Sequence, residues 1–152
     1  MTKHGCTEKA VKILKENIDD VTLLNLKQNK NPDISDYGTI IVGGSMHFGG
    51  IQKEIKKFCD NNRDILLQKR LGLYLCYMRE DVAQKQFNES YPGDLRGHAI
   101  AAGLFGGECD FQKMNFIERK IMKKIVNSFK DSTSTKLNKE AILEFAQEIQ
   151  KK

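Results

Sequence analysis

The chain reads as an α/β domain built on a parallel sheet with helices on both faces. Three observations predict this. The runs Thr39 to Ser45 (TIIVGGS) and Arg70 to Met78 (RLGLYLCYM) are apolar without alternation, the pattern of strands buried on both sides. Around and between them, apolar residues recur at helical spacing. The two patterns alternate along 152 residues, of which 39% are hydrophobic and 30% charged, a size and composition that suit one globular domain with one core.

The elements follow in order. TKHGCT, Thr2 to Thr7, is a small polar turn directly after Met1. Ala10, Val11, Leu14 and Ile18 then predict an amphipathic helix over Thr7 to Ile18. VTLLNL, Val21 to Leu26, predicts a short strand, and Asn29 to Gly38, with Asn, Pro, Asp and Gly, a loop. After the strand Thr39 to Ser45, Ile51, Ile55, Phe58 and Cys59 share one helical stripe. The strand Arg70 to Met78 leads into a weaker helix over Asp81 to Asn88, and Pro92-Gly93 closes that region. HAIAAGLFGG, His98 to Gly107, predicts a glycine-interrupted strand. Ile117, Ile121, Ile125 and Phe129 form a further stripe, STSTKLN is a polar linker, and Asn138 is a candidate N-cap for a last helix carrying Ile142, Phe145 and Ile149.

Composition narrows the function classes. The longest apolar stretch, Leu71 to Met78, is far too short to span a bilayer, and the polar start lacks the apolar region of a signal peptide. A cytoplasmic location is expected. Cys6, Cys59, Cys76 and Cys109 form no CxxC pair and no zinc-finger spacing with histidine, so they are expected to be reduced, mostly buried thiols, with no metal site. The net charge of +5 is unevenly placed. Met1 to Phe111 carry 15 Lys+Arg and 15 Asp+Glu, whereas Gln112 to Lys152 carry 10 and 5, a difference of +5. A basic excess on one helix favours an anionic surface such as lipid headgroups. No nucleic-acid partner is expected.

Parallel sheets take ligands at the carboxyl ends of their strands. Three loops there carry chemistry. In the opening turn, Gly5 lets the backbone curl around an anion at a helix N-terminus, Thr2 and Thr7 can donate hydroxyls, and Lys3 adds charge. The plainer alternative is a capped helix start. In GGSMHFGG, Gly43 to Gly50, the glycines allow a flat ligand to approach the backbone, Ser45 can bond a ring edge, and Met46 and Phe48 can lie on a ring face. The alternative is a tight strand-to-helix turn with a core methionine. In CYMRED, Cys76 to Asp81, Tyr77 can stack on a ring and Arg79 can pair with an anion, or Arg79 and Asp81 are solvated charges at a helix start. Together the loops describe a site for a phosphorylated, flat aromatic cofactor.

These residues resemble a known family. TKHGCT is similar to the phosphate turn of flavodoxins, T/S-x-T/S-G-x-T, matching at Thr2, Gly5 and Thr7, with His4 where a hydroxyl residue is usual. TKHGCTEKA, YGTIIVGGSMHFGGIQKEIKKF and HAIAAGLFGGECDFQKMNFIERKIMKKI resemble the flavodoxin-like, menaquinone-dependent protoporphyrinogen oxidases, the last segment because plain flavodoxins lack this insertion. The resemblance implies a flavodoxin-like three-layer sandwich holding FMN, with possible oxidation of protoporphyrinogen and electron transfer to a quinone. The alternatives are a plain electron carrier and a remnant that no longer holds FMN. It places the phosphate on Thr2, Lys3, His4, Gly5, Cys6 and Thr7, and the ring between Ser45, Met46, His47, Phe48 and Gly49 on one side and Cys76, Tyr77 and Met78 on the other. No catalytic acid or base is implied, because the flavin carries the chemistry.

Two features stand apart. The helix spanning residues 116–129 places Arg119, Lys120, Lys123 and Lys124 opposite its apolar stripe. It suits either a peripheral contact with the inner face of a membrane, a protein partner or porphyrinogen propionates, or a sheet cover with its stripe turned inward. In addition, the family's central first strand has no counterpart before the opening turn. The expected sheet therefore lacks that strand, which leaves ladder groups to be satisfied otherwise and predicts weak FMN binding. An upstream start, a second strand shifted onto the third, or a strand from another chain would each answer the gap.

Overall fold

The computed structural model describes residues 5–47, 50–107, 115–128 and 136–151, with the backbone alone at 47, 118, 122 and 125. In chain order the elements are α1 (Cys6–Asn17), β1 (Thr39–His47), β2 (Gly50–Ile51), α2 (Lys53–Asn61), α3 (Arg63–Leu66), β3 (Arg70–Cys76), a 3-10 turn (Glu80–Val82), α4 (Ala83–Ser90), α5 (Gly93–His98), β4 (Ala101–Leu104), α6 (Phe116–Ser128) and α7 (Lys139–Gln150). The sheet order is β2-β1-β3-β4. β1 and β3 run parallel from Thr39 opposite Arg70 to Ser45 opposite Cys76, and β3 and β4 from Gly72 opposite Ala101 to Leu75 opposite Leu104. β2 folds back on β1, pairing Met46 with Ile51 and His47 with Gly50.

Both faces of the sheet are covered, as the unbroken apolar runs predict. Side chains alternate across β3. Leu71, Leu73 and Leu75 point to one core with Ile40, Val42, Phe58, Phe87, Tyr91 and Leu95. Tyr74 and Cys76 point to the other with Cys6, Ala10 and Leu14 of α1, and Ile142, Phe145 and Ile149 of α7. Asn138 caps α7, its side-chain oxygen accepting from Ala141 N–H at 3.1 Å.

The structure corrects several expectations. Val21 to Leu26 form no strand, and Leu23 and Leu24 are exposed. A strand holds only if its backbone groups find a ladder, and here Asn25 starts a turn instead, its Oδ1 accepting from Lys27 N–H at 3.1 Å and its carbonyl from Gln28 and Asn29. The strand therefore neither lies beyond a gap nor shifts onto β1. The glycine segment after Val42 is not a strand-to-helix turn from its start: β1 continues to His47, and Ile51 belongs to the hairpin rather than to α2. β3 ends at Cys76, not Met78, and β4 covers only Ala101–Leu104 because His98 completes a helix. That helix starts at Pro92-Gly93, where Pro92 O accepts from Arg96 N–H at 3.0 Å, so the pair punctuates the region and opens a new element. On α6, Ile117 and Ile121 are exposed rather than packed inward.

Candidate functional site

Register alone brings two of the three loops together. Ser45 stands opposite Cys76, so the ends of β1 and β3 emerge side by side. The third joins them through Gly106. Its carbonyl accepts from Tyr77 N–H at 2.9 Å and from the Cys6 thiol at 4.0 Å, which places the start of α1 against the end of β3. Gly107 lies so close that a Cβ there would meet Tyr77 O at 2.3 Å. The segment after β4 is thus a fourth component, signalled in the sequence by Gly106-Gly107 but read there only as part of a strand. It is held from behind by Asn138 N–H donating to Phe105 O at 2.9 Å and by a bridge between Gly106 and Leu137.

The opening turn has the backbone an anion cradle needs. Gly5, which precedes α1, sits at φ 75°, the left-handed region that glycine enters without cost. The 12-residue helix α1 points its N-terminus at the sheet end. The Thr7 hydroxyl oxygen is buried and makes no hydrogen bond of ordinary geometry with a described residue, its polar neighbour being the Cys76 thiol. A buried hydroxyl so weakly engaged, beside a left-handed glycine and a helix start, fits a phosphate oxygen that would accept its hydrogen bond. Thr2, Lys3 and His4 lie outside the described residues, as do Phe48 and Gly49.

The ring-side residues divide. Tyr77 and Met78 are half-buried at the mouth, and burial, then Glu80, pushes the Tyr77 hydroxyl above its ordinary range. Met46 instead packs on the leucine core and takes a long contact from the Ser90 hydroxyl at 3.8 Å. Ser45 N–H donates to Gln52 Oε1 at 3.0 Å, and Gln52 Nε2 donates to Ser45 Oγ at 3.4 Å. Gln52 is therefore a component that spacing did not single out. A Cβ on Gly44 would fall 2.3 Å from that Oε1, so the glycine makes room for it. The backbone of His47 pairs with Gly50. Arg79 faces Asp81 in a fork, Nε to Oδ1 at 3.2 Å and Nη2 to Oδ2 at 2.5 Å, and its hydrogen bonds hold the Asp81 carboxyl below the usual range. Cys76 is buried, and its thiol is pushed up by the nearness of Cys6, then by burial, against a smaller lowering by hydrogen bonding with the Thr7 side chain. Cys6, Cys59 and Cys76 are all free thiols, as expected, while Cys109 lies outside the described residues.

Among the described residues no helix is long and apolar enough to cross a membrane. A family model described as a flavodoxin domain matches residues 1–136. Compared with curated proteins, the chain matches none. The chain belongs to the flavodoxin domain family, whose members are typically FMN-binding redox proteins.

Proposed function

We propose that this flavodoxin-domain protein binds FMN at the carboxyl end of its sheet, oxidises protoporphyrinogen and passes the electrons to a quinone. The observation that carries the cofactor reading is the buried Thr7 hydroxyl, which makes no hydrogen bond of ordinary geometry with a described residue, beside left-handed Gly5 at the sheet end where β1, β3 and the segment after β4 meet. Thr2, Lys3, His4, Gly5, Cys6 and Thr7 would hold the phosphate, and Ser45, His47, Phe48, Gly49, Tyr77 and Met78 would frame the ring, with the side chains of Met46 and Cys76 turned into the cores beneath it. FMN, when bound, supplies the one- and two-electron chemistry. Gln52 keeps the Ser45 backbone in place, and the contacts of Gly106 and Gly107 fix Tyr77.

Binding tests this directly. FMN titrated into the purified chain quenches its fluorescence on binding. Thr7→Val keeps the shape and removes the hydroxyl, and weakens FMN binding by roughly 10-fold or more, while riboflavin, which lacks the phosphate, binds both proteins alike. A folded chain that takes no FMN would establish the remnant reading instead. Protoporphyrinogen oxidation with a quinone acceptor then separates the enzyme from a plain electron carrier.

α6 supports a peripheral contact at the inner face of a membrane. Phe116 is 81% exposed and Ile117 68%, alongside exposed Arg119, Lys120, Lys123 and Lys124. Co-sedimentation with anionic vesicles tests it, and Ile117→Asp abolishes it. Equal recovery with neutral vesicles would argue against the charge-led contact.

A further inference from the structure

Cys6 opens α1 and Cys76 closes β3, 70 residues apart in sequence and on the same side of the sheet. Their approach is fixed by the backbone. The Gly106 carbonyl takes both the Cys6 thiol, at 4.0 Å, and the N–H of Tyr77, the residue after Cys76, at 2.9 Å. Both side chains pack in the same buried cluster, and the nearness of Cys6 raises the Cys76 thiol. Both residues are buried, Cys76 to 1% exposure and Cys6 to 7%.

We propose that Cys6 and Cys76 are an oxidation site, closing to a reversible disulfide in the presence of a hydroperoxide. With hydrogen peroxide, the Cys6 sulfur attacks one peroxide oxygen, the O–O bond breaks, and water leaves as Cys6 becomes a sulfenic acid. The Cys76 sulfur then attacks the Cys6 sulfur, the S–S bond forms, and the sulfenic oxygen departs as a second water. Two thiols are oxidised by two electrons in total and one peroxide is reduced to two waters. A dithiol reductant reverses the bond by exchange. The disulfide ties the first turn of α1 to the loop that begins at Cys76, the two segments on which a bound phosphate and ring would rest. The site itself does not depend on the flavin reading, and the chain without any cofactor suffices to test it.

The test is peptide mapping of the folded chain after peroxide, with free thiols alkylated under denaturing conditions and no reductant added. Trypsin releases HGCTEK (residues 4–9) and LGLYLCYMR (residues 71–79). The expected product is these two peptides joined, about 2 Da lighter than their sum, with the loss of two alkylated thiols per chain and full recovery of both after dithiothreitol. Cys6→Ala abolishes the joined product and leaves Cys76 alkylated; should that variant fail to fold, the wild-type map decides alone. Sulfoxide at Met78 reports that peroxide reached the region. Met78 oxidised while Cys6 and Cys76 remain fully alkylated would overturn the proposal. So would either cysteine joined to Cys59 or Cys109, or carried on to a sulfinic acid.

Discussion

On one face of the sheet the strands supply aliphatic bulk; on the other they supply glycines, and rings from neighbouring strands and from α7 fill the space. Leu71, Leu73 and Leu75 of β3 pack with Ile40 and Val42 of β1, closed by Phe58, Phe87 and Tyr91. Opposite, Gly43, Gly72 and Gly103 leave room for rings: a Cβ on Gly43 would fall 2.0 Å from Tyr74, one on Gly72 2.7 Å from Phe145, and one on Gly103 2.3 Å from Phe105. Tyr74 stacks on Phe105 at 4.7 Å, and Phe145 meets Phe105 edge-on at 5.4 Å. The glycine face also carries Cys6 and Cys76, and with them the start of α1. The comparison teaches that a glycine in a buried strand marks where another side chain lies across it, so the face that looks emptier in sequence is filled by its neighbours' rings.

Substitutions can break this contrast. The largest effect belongs to Leu73→Ala at the centre of the leucine face. Leu73 is fully buried, and the cavity and lost transfer energy cost about 2–5 kcal/mol, a fall in Tm of roughly 5–15 °C by calorimetry. Gly43→Ala adds a single methyl on the other face and costs about 1–3 kcal/mol by overpacking against Tyr74. Adding Tyr74→Leu to that variant recovers part of the loss in a double-mutant cycle. Strict additivity would mean that the glycine is not making room for the ring.

A smaller change sharpens how the leucine face is fastened. The Tyr91 hydroxyl is buried and donates to Tyr74 O at 2.6 Å, with Val42 O at 3.4 Å. Tyr91→Phe removes that link and costs about 1–1.5 kcal/mol, read from the midpoint of urea unfolding. Asn138→Ala removes the cap of α7 behind the glycine face and costs about 1 kcal/mol. The smallest effect is a pH dependence. Arg79 lowers the Asp81 carboxyl in the folded state, so the pair stabilises the fold above the ordinary aspartate range, and the contribution is lost as pH falls through the lowered value. Arg79→Gln flattens that acid limb of the stability curve, and an unchanged limb would show that the fork contributes nothing.

Legibility followed the size of the local signal. Thr39 to Ser45 and Arg70 to Cys76 were readable as buried strands because parallel strands are apolar on both faces. Asn138 was readable as a cap because its chemistry is local, and Ile142, Phe145 and Ile149 lie on the buried side of the helix it starts. Val21 to Leu26 misled, because β propensity makes no strand without a neighbour, and no local pattern reports whether a neighbour is there. Gln52 and Gly106 were not singled out for the same reason: each acts through a partner 7 to 100 residues away, Ser45 in one case and Cys6 in the other. The candidate turn at Gly5 was legible as a type of turn, and the burial of its Thr7 hydroxyl was not.

Sequence alone determined the α/β class, the two long parallel strands and the residue types available at their ends, since periodicity and turn chemistry act over a few residues. Tertiary structure decided which of those residues meet. Register set Ser45 beside Cys76, the Gly106 carbonyl drew Cys6 to Tyr77, and three glycines admitted the rings. Contacts of this kind depend on ladders and packing between segments far apart in the chain, and each is settled only when its partner is in place.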